Sequence, residues 1–432
     1  MYLTHLSLTH FRNYTRLELD LSARVHVIRG DNAQGKTNLL EAIYYLATTR
    51  SPLTSTDREL IQWQAHDEVI PHARARAVYV RQGEEHTIDA TLVLERGNGA
   101  GRGAQRGAQR GVTGPPTRYR RQIEVDGVPR RAMDVVGRLN AVLFMPQDIA
   151  LVTGSPGDRR RHLDITLCQI DPVYCQSLSR YNRVLGQRNA LLREGRPSED
   201  QLAYWDAQLT RLGGLILERR LWAIGQLDAQ ARTAQHNLTG GSERLEIAYR
   251  CNLEEPLNDT AEGGDHALGT TSAALGACLA GPADAEALTE WFARALRAAR
   301  GEERRRGVTV VGPHRDDIRF YLDGHDAIVY GSRGQQRTVA LALKLAEVEL
   351  MRGETGETPV LLLDDILSEL DERRGRHVLE TVSAAQQVLM TTTDLRGFAP
   401  EFIQQAMLWT VVAGTVEASG EAEDDDVAAS LA

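Results

Sequence analysis

Across its 432 residues the chain has no apolar run approaching the ~18 residues that a helix needs to cross a bilayer. Its first residues, Met1-Tyr2-Leu3-Thr4-His5-Leu6, show no basic start followed by an apolar stretch, so no secretory signal is expected. The four cysteines (Cys168, Cys175, Cys251, Cys278) form no C-x-x-C pair and have no clustered histidines beside them. That favours indifferent thiols in a reducing, cytoplasmic setting over a metal site or a disulfide framework. Lysine is nearly missing: Lys36 and Lys344 are the only two, and arginine carries the remaining positive charge. Sustained heptads are absent, which excludes a long coiled coil. Aromatic residues interleaved with bases, the usual platform for single-stranded nucleic acid, are absent as well.

What is present is chemistry for phosphate. The run Gly30-Asp31-Asn32-Ala33-Gln34-Gly35-Lys36-Thr37 fits the phosphate-loop pattern G-x-x-x-x-G-K-[ST]. Arg24–Ile28 before it alternates as a short buried strand, and Leu39, Leu40, Ile43, Tyr44 and Leu46 after it recur at helical spacing. Such a loop wraps backbone N–H groups around the β- and γ-phosphates, and the helix dipole adds positive charge. Lys36 is expected to reach the phosphate oxygens and Thr37 to hold Mg²⁺. Gly30, Asn32, Gly35 and Asn38 complete the nucleotide-contacting set. One of only two lysines standing here fits a site that needs a compact ammonium.

Hydrophobic residues at 42% and charged residues at 25% suit a soluble protein of two or three domains. The net charge of −9 is unevenly spread. Six acids and no base lie between Val416 and Ala432; without that tail the balance is −3. Residues 1–147 hold 20 bases against 15 acids. The stretch 97–116, with Gly-Ala-Gln-Arg twice, cannot bury enough apolar surface to fold and reads as a disordered insertion at a hairpin tip. Strands are expected around Ala75–Arg81, Thr87–Leu94 and Arg121–Val125. From about Asp158 the pattern turns helical. Leu178, Tyr181, Leu185 and Leu192 form one stripe and Leu202 to Leu227 a second, giving two antiparallel helices, the second of roughly 30 residues. A helix at Glu286–Arg300 and strands at Gly307–Val311 and Ile318–Leu322 follow. The predicted fold is α/β: a mixed-sheet head from 1–150 and 306–415, a helical arm from 151–305, and an acidic disordered tail from 416–432.

Val360-Leu361-Leu362-Leu363-Asp364-Asp365 reads as a buried strand ending in two carboxylates. Asp364 would hold Mg²⁺ and Asp365 polarise the attacking water, because phosphoryl transfer is mostly positioning and electrostatics. Asp365 is one methylene shorter than the usual Glu, which predicts slow hydrolysis. Gly331-Ser332-Arg333-Gly334-Gln335-Gln336 heads a helix running to Met351, with Ser332 as the N-cap. Ser368-Glu369-Leu370-Asp371 follows the acid strand.

In this order, phosphate loop, Gln147, Ser332-x-Gly334-Gln335, acid strand and Ser-Glu-Leu-Asp resemble the ABC-type ATPase head. Phe11-Arg12-Asn13-Tyr14, Phe144-Met145-Pro146-Gln147-Asp148, Gly154–Arg161 and Val311–Asp317 further resemble the RecF family of recombination mediators. That resemblance covers residues 1 to about 410. It implies that ATP is sandwiched between one subunit's loop and the other's Ser332, Gly334 and Gln335, with Asp371 nearby, in an ATP-dependent homodimer. It also implies that Gln147 ligates Mg²⁺ or the attacking water and that Arg12 meets adenine or phosphate. The implied partners are double-stranded or gapped DNA, with single strands left open, together with RecO and RecR, and no membrane. Candidate DNA contacts are Arg159–Arg161, Arg304–Arg306, Arg118/Arg120/Arg121 and Arg130/Arg131. Two features depart from the family pattern, the arginine-rich insertion with the tail and Thr393 where transporter ATPases carry a switch histidine. The rival reading is the ATPase subunit of a membrane transporter.

Overall fold

The computed structural model describes residues 1–96, 117–195, 198–252, 284–395 and 398–418. The insertion 97–116 and most of the acidic tail lie outside them. Internal contacts divide the chain into two units, Met1–Pro146 with Glu357–Ala432, and Gln147–Gly356. In chain order, the first unit begins with β1 (Tyr2–Phe11), β2 (Tyr14–Asp20), β3 (Val25–Arg29), α1 (Lys36–Thr48), β4 (His72–Arg81), β5 (Glu84–Arg96), β6 (Thr117–Val125), β7 (Val128–Arg130) and β8 (Ala141–Phe144). The second holds α2 (Pro156–Ile170), α3 (Pro172–Glu194), α4 (Glu199–Thr239), β9 (Leu245–Arg250), α5 (Ala285–Ala298), α6 (Arg300–Arg306), β10 (Asp317–Leu322), β11 (His325–Asp326) and α7 (Arg333–Thr355). The chain then returns to the first unit with β12 (Val360–Asp364), α8 (Glu372–Ala384), β13 (Val388–Thr392), β14 (Met407–Val412) and β15 (Thr415–Ala418).

Two six-stranded sheets build the first unit. One is antiparallel throughout, in the order β2-β1-β4-β5-β6-β7. The other runs β15-β14-β3-β13-β12-β8, with β14, β3, β13, β12 and β8 mutually parallel and β15 antiparallel at the edge. Its middle strands β12 and β13 are buried along their whole length and largely apolar because both faces are covered. Helix α1 touches β8, β12 and β13 of this sheet and β1, β4 and β5 of the other. It is buried all round from Leu39 to Thr48, as a helix between two sheets must be. Parallel pairing places the carboxyl ends of β3 and β12 at one edge with β13 between them. Gln387 ties the opposite edge, its amide donating to the carbonyls of Leu3 and Leu21 at 2.8 Å each.

β5 and β6 pair directly, Arg96 opposite Thr117, so the insertion joins the ends of a hairpin, as expected. Other expectations change. Val416–Ala418, read as tail, form part of β15 against β14. Helix α4 extends over 41 residues instead of roughly 30, a length of ~60 Å, because Ala231, Ala234 and Leu238 continue its buried stripe with smaller side chains. Gly307–Val311 is not a strand. Its polar backbone is satisfied otherwise: Thr309 N–H donates to Asn189 at 2.7 Å and Val310 N–H to Glu303. Residues 306–356, expected with the head, pack within the second unit.

That unit is organised by buried arginines. Arg188, fully buried on α3, donates to Glu303 at 3.1 Å, to Asp206 at 2.8 Å and to Thr309 at 2.7 Å. Arg220 on α4 meets Asp164, Tyr174, Tyr249 and the Pro313 carbonyl. Such groups are tolerated inside because nearly every donor has a partner. Asp316 is buried, accepting from Tyr249 at 2.6 Å and from the Asn252 N–H at 2.7 Å. Burial still pushes its carboxyl up to about 6.

Candidate nucleotide site

The loop between β3 and α1 is held in shape by the side chains of Asn13 and Tyr14 and by backbone N–H groups of the β14–β15 turn. Asn13, in the tight β1–β2 connection, donates to the Gln34 carbonyl at 2.8 Å and accepts from Asn38 at 2.9 Å. Tyr14 donates to the Gly35 carbonyl at 3.0 Å. From the β14–β15 turn, Gly414 N–H reaches the Gln34 carbonyl at 3.1 Å and Ala413 N–H the Gln34 side chain at 2.6 Å. Gly35 adopts φ 118°, a region open chiefly to glycine, and a Cβ there would lie 2.3 Å from Asn13 Nδ2. The loop therefore arrives preorganised at the α1 N-terminus, with no acid in the first turn to compete with an anion.

Lys36 curls back over the loop, its ammonium donating to the Gly30 carbonyl and to the Asp31 carbonyl at 3.0 Å. Burial lowers its pKa, while Asp365, Asp364 and Asp31 oppose that shift. Thr37 donates to both oxygens of Asp364, at 3.0 and 2.9 Å, and Thr391 at the end of β13 donates to Asp364 Oδ1 at 2.8 Å. Burial raises the pKa of Asp364. The bonds from Thr391 and Thr37 work against the rise, as does Lys36, whereas Asp365 adds to it. Asp365 sits just past the strand at φ 48°, its N–H bound to Thr391 at 3.0 Å. Its Oδ1 is buried without a hydrogen-bond partner. A left-handed residue carrying an unpartnered oxygen at the end of a parallel sheet is the kind of strain kept at functional sites. The donor set of one hydroxyl and two carboxylates is hard and oxygen-only, which fits Mg²⁺.

Gly30, Asn32, Gly35, Lys36, Thr37, Asn38, Asp364 and Asp365 thus fall together. Arg12 is close to the same loop in sequence order but engaged elsewhere: its fork clasps the buried Glu41 carboxylate at 2.7 Å twice, and it reaches the Glu59 carbonyl at 2.9 Å. Gln147 opens the second unit. Ser332 caps α7 through a capping box with Gln335, whose amide also donates to Glu243 at 3.1 Å, and Gly334 is exposed. Asp371 is exposed at the start of α8, bound to the Arg374 N–H at 2.9 Å. Thr393 is exposed beyond β13, and its neighbour Thr391 makes the contact to Asp364. Thr391 and Glu41 escaped sequence reading. The only signal for Thr391 was a second apolar strand ending in hydroxyls at Thr391-Thr392-Thr393.

The arginine clusters divide. Arg159 is buried against Asp317 at 2.8 Å, Arg121 pairs with Asp57, Arg304 with Glu199, and Arg306 with Glu302 at 3.1 Å. These positions read as ion-pair partners. Arg120, Arg130, Arg131 and Arg305 are exposed.

A family model described as the RecF/RecN/SMC N terminal domain matches residues 2–406. A DNA replication and repair protein RecF from Chloroflexus aurantiacus is 42% identical over 426 residues, covering 96% of this chain and 99% of the relative. Its counterpart from Herpetosiphon aurantiacus is 43% identical over 413 residues, with 94% and 96% covered. Among solved structures, the recombination mediator protein RecF with ATP, of the RecFOR pathway, superposes with a TM-score of 0.77 at 28% identity, over 97% of this chain and 98% of that one. The fold is α/β of the ABC-type ATPase head class, with a long helical segment. The chain belongs to the RecF family.

No described helix is long and apolar enough to cross a membrane.

Proposed function

We propose that the chain is an ATP-switched DNA-binding protein of recombinational repair. Lys36 and the N–H groups of Gly30–Thr37 bind the β- and γ-phosphates, with Asn32 and Asn38 beside them. Thr37 and Asp364, joined by Gln147, hold Mg²⁺, which neutralises phosphate charge as it develops. Asp365 orients the attacking water. Two heads close on nucleotide, each presenting Ser332, Gly334, Gln335 and Asp371 to the other's loop. The closed dimer grips double-stranded or gapped DNA and acts with RecO and RecR to help load recombinase at gaps. Slow hydrolysis releases it.

The observation that supports this most directly is the Thr37–Asp364–Thr391 cluster beside Lys36, in a chain related to an ATP-bound recombination mediator. Sedimentation with a short duplex DNA tests it. ATP with Mg²⁺ is expected to give a DNA-bound dimer and ADP a free monomer. A nucleotide-independent monomer that ignores DNA would defeat the switch. Asp365→Asn is expected to keep ATP binding and accumulate the closed dimer. Normal hydrolysis by that variant would remove Asp365 from its role.

A further inference from the structure

The end of β1 carries an unexplained cluster. His10 stands at φ 48°, an unusual backbone for a non-glycine residue, and its Nδ1 is buried with no hydrogen-bond partner. Facing it are Glu68, just after the short helical turn Gln64–Asp67, and His72, the first residue of β4. One donor atom from each of the three lies within 4.8 Å of the others. We propose that His10, Glu68 and His72 form a zinc-type transition-metal site, separate from the nucleotide loop.

The separations favour a shared ion over direct contacts. His10 Nδ1 is 3.5 Å from one Glu68 oxygen and His72 Nδ1 3.6 Å from the other. Both exceed the ~2.7–3.2 Å of a hydrogen bond. Donors on a tetrahedral zinc ion with bonds of ~2.0–2.1 Å stand about 3.3 Å apart. Each imidazole lies near that distance from one of the two Glu68 oxygens, and small side-chain rotations would bring the three donors, now within 4.8 Å, onto one ion. Two imidazoles and one carboxylate match a three-ligand zinc set with a fourth position for water, and imidazole is a poor ligand for Mg²⁺. The imidazole of His72 also lies 3.2 Å from the Ile70 carbonyl, a contact at the limit of hydrogen bonding that the metal would displace. The two rings already meet edge to face at 5.2 Å.

The sequence separation says what the metal does. It staples the segment between Leu60 and His72 to the end of β1, where the Gln62 N–H reaches the His10 carbonyl at 2.7 Å and the Arg12 N–H the Leu60 carbonyl at 2.8 Å. Ile61 and Ala65 anchor the start of that segment in the core, but Trp63, Val69 and Ile70 are exposed. Closing the loop through an ion restricts its Glu68–His72 end, beyond those buried contacts.

The test uses the full-length protein, stripped with chelator and desalted, titrated calorimetrically with Zn²⁺ alone. One equivalent is expected to bind, and His72→Ala and Glu68→Gln are each expected to weaken it by more than the ~10-fold typical of losing a supporting contact. Co²⁺ should give the visible absorption of a four-coordinate ion in the parent chain and lose it in both variants. Both variants alter exposed or half-exposed side chains, so retained circular dichroism separates lost metal from lost fold. Absence of stoichiometric zinc, or zinc held equally by both variants at the cysteines or at Thr37 and Asp364, would overturn the assignment.

Discussion

Lys36 binds two loop carbonyls at the same time as it faces Asp364 and Asp365, so its ammonium is held where a phosphate would replace those carbonyls. Lys36→Met removes the only lysine of the loop and is expected to abolish ATP binding, read by a fluorescent nucleotide titration. Gly35→Ala acts through geometry. A methyl group must displace Asn13 while the backbone stays at φ 118°, so the loop opens. A destabilisation of about 1–3 kcal/mol and loss of nucleotide binding are expected, and unchanged binding would show that the loop shape is not set by Asn13. The loop and Asp364 were legible in sequence because each is a local pattern: glycine spacing in one case, an apolar run ending in an acid in the other. The contacts of Asn13, Tyr14, Thr391 and Gly414 were not, because they join residues tens to hundreds of positions apart that only the sheet brings together. Arg12 shows the same limit. Nothing local marks Glu41, inside an apolar helix stripe, as the carboxylate that takes its fork.

Elements were legible where apolar periodicity is carried by large side chains and faded where small ones carry it. Helix α4 ran past its expected end because alanines continue its buried face. The same helix has a stretch chosen for closeness: a Cβ on Gly214 would lie 2.1 Å from Thr289 Oγ1 and 2.8 Å from the Ala285 carbonyl on α5. In a helix interior glycine costs roughly 0.5–1 kcal/mol relative to alanine, so an exposed site would gain from Gly→Ala. Here backbone stands opposite backbone, and the neighbouring helix has to move. Gly214→Ala is therefore expected to destabilise the second unit by about 1–3 kcal/mol, measured as a lowered urea midpoint. A stabilised variant would mean that α4 and α5 do not approach as closely as described. The failed strand at Gly307–Val311 teaches the complementary point: alternation of Val and Thr was present, but the backbone groups were claimed by Asn189 and Glu303, which sequence spacing cannot reveal.

At the scale of the molecule, both units bury histidines that must stay neutral. His26, on β3 beside β14, accepts from the Trp409 indole at 3.0 Å and faces the Ala23 carbonyl at 2.9 Å, and burial holds it down to about 4. In the second unit, burial likewise lowers His162 and His314 to about 4. In the unfolded chain each titrates near 6.5. As pH falls from about 6.5 towards 4 the unfolded state takes up protons that the folded state refuses, and stability is lost over that window. Each such shift amounts to ~3 kcal/mol when complete. Asp316 acts in the opposite sense: raised to about 6, it takes a proton in the folded state before the unfolded chain does, adding stability between about 6 and 3.8. His5, raised chiefly by its bond to Asp20, and Asp364, raised by burial, also gain stability on acidification, but neither is shifted as far as the three histidines, which leave a net loss. Urea midpoints of the full chain are therefore expected to drop from pH 7 to pH 5. The drop should be reduced in an Asp316-intact variant that lacks the buried imidazole, His314→Gln, even if that variant starts from lower stability. A midpoint that stays level or rises on acidification would mean that these imidazoles are hydrated or paired as cations, and the packing around β3, α2 and the Val311–Asp317 segment would have to be redrawn.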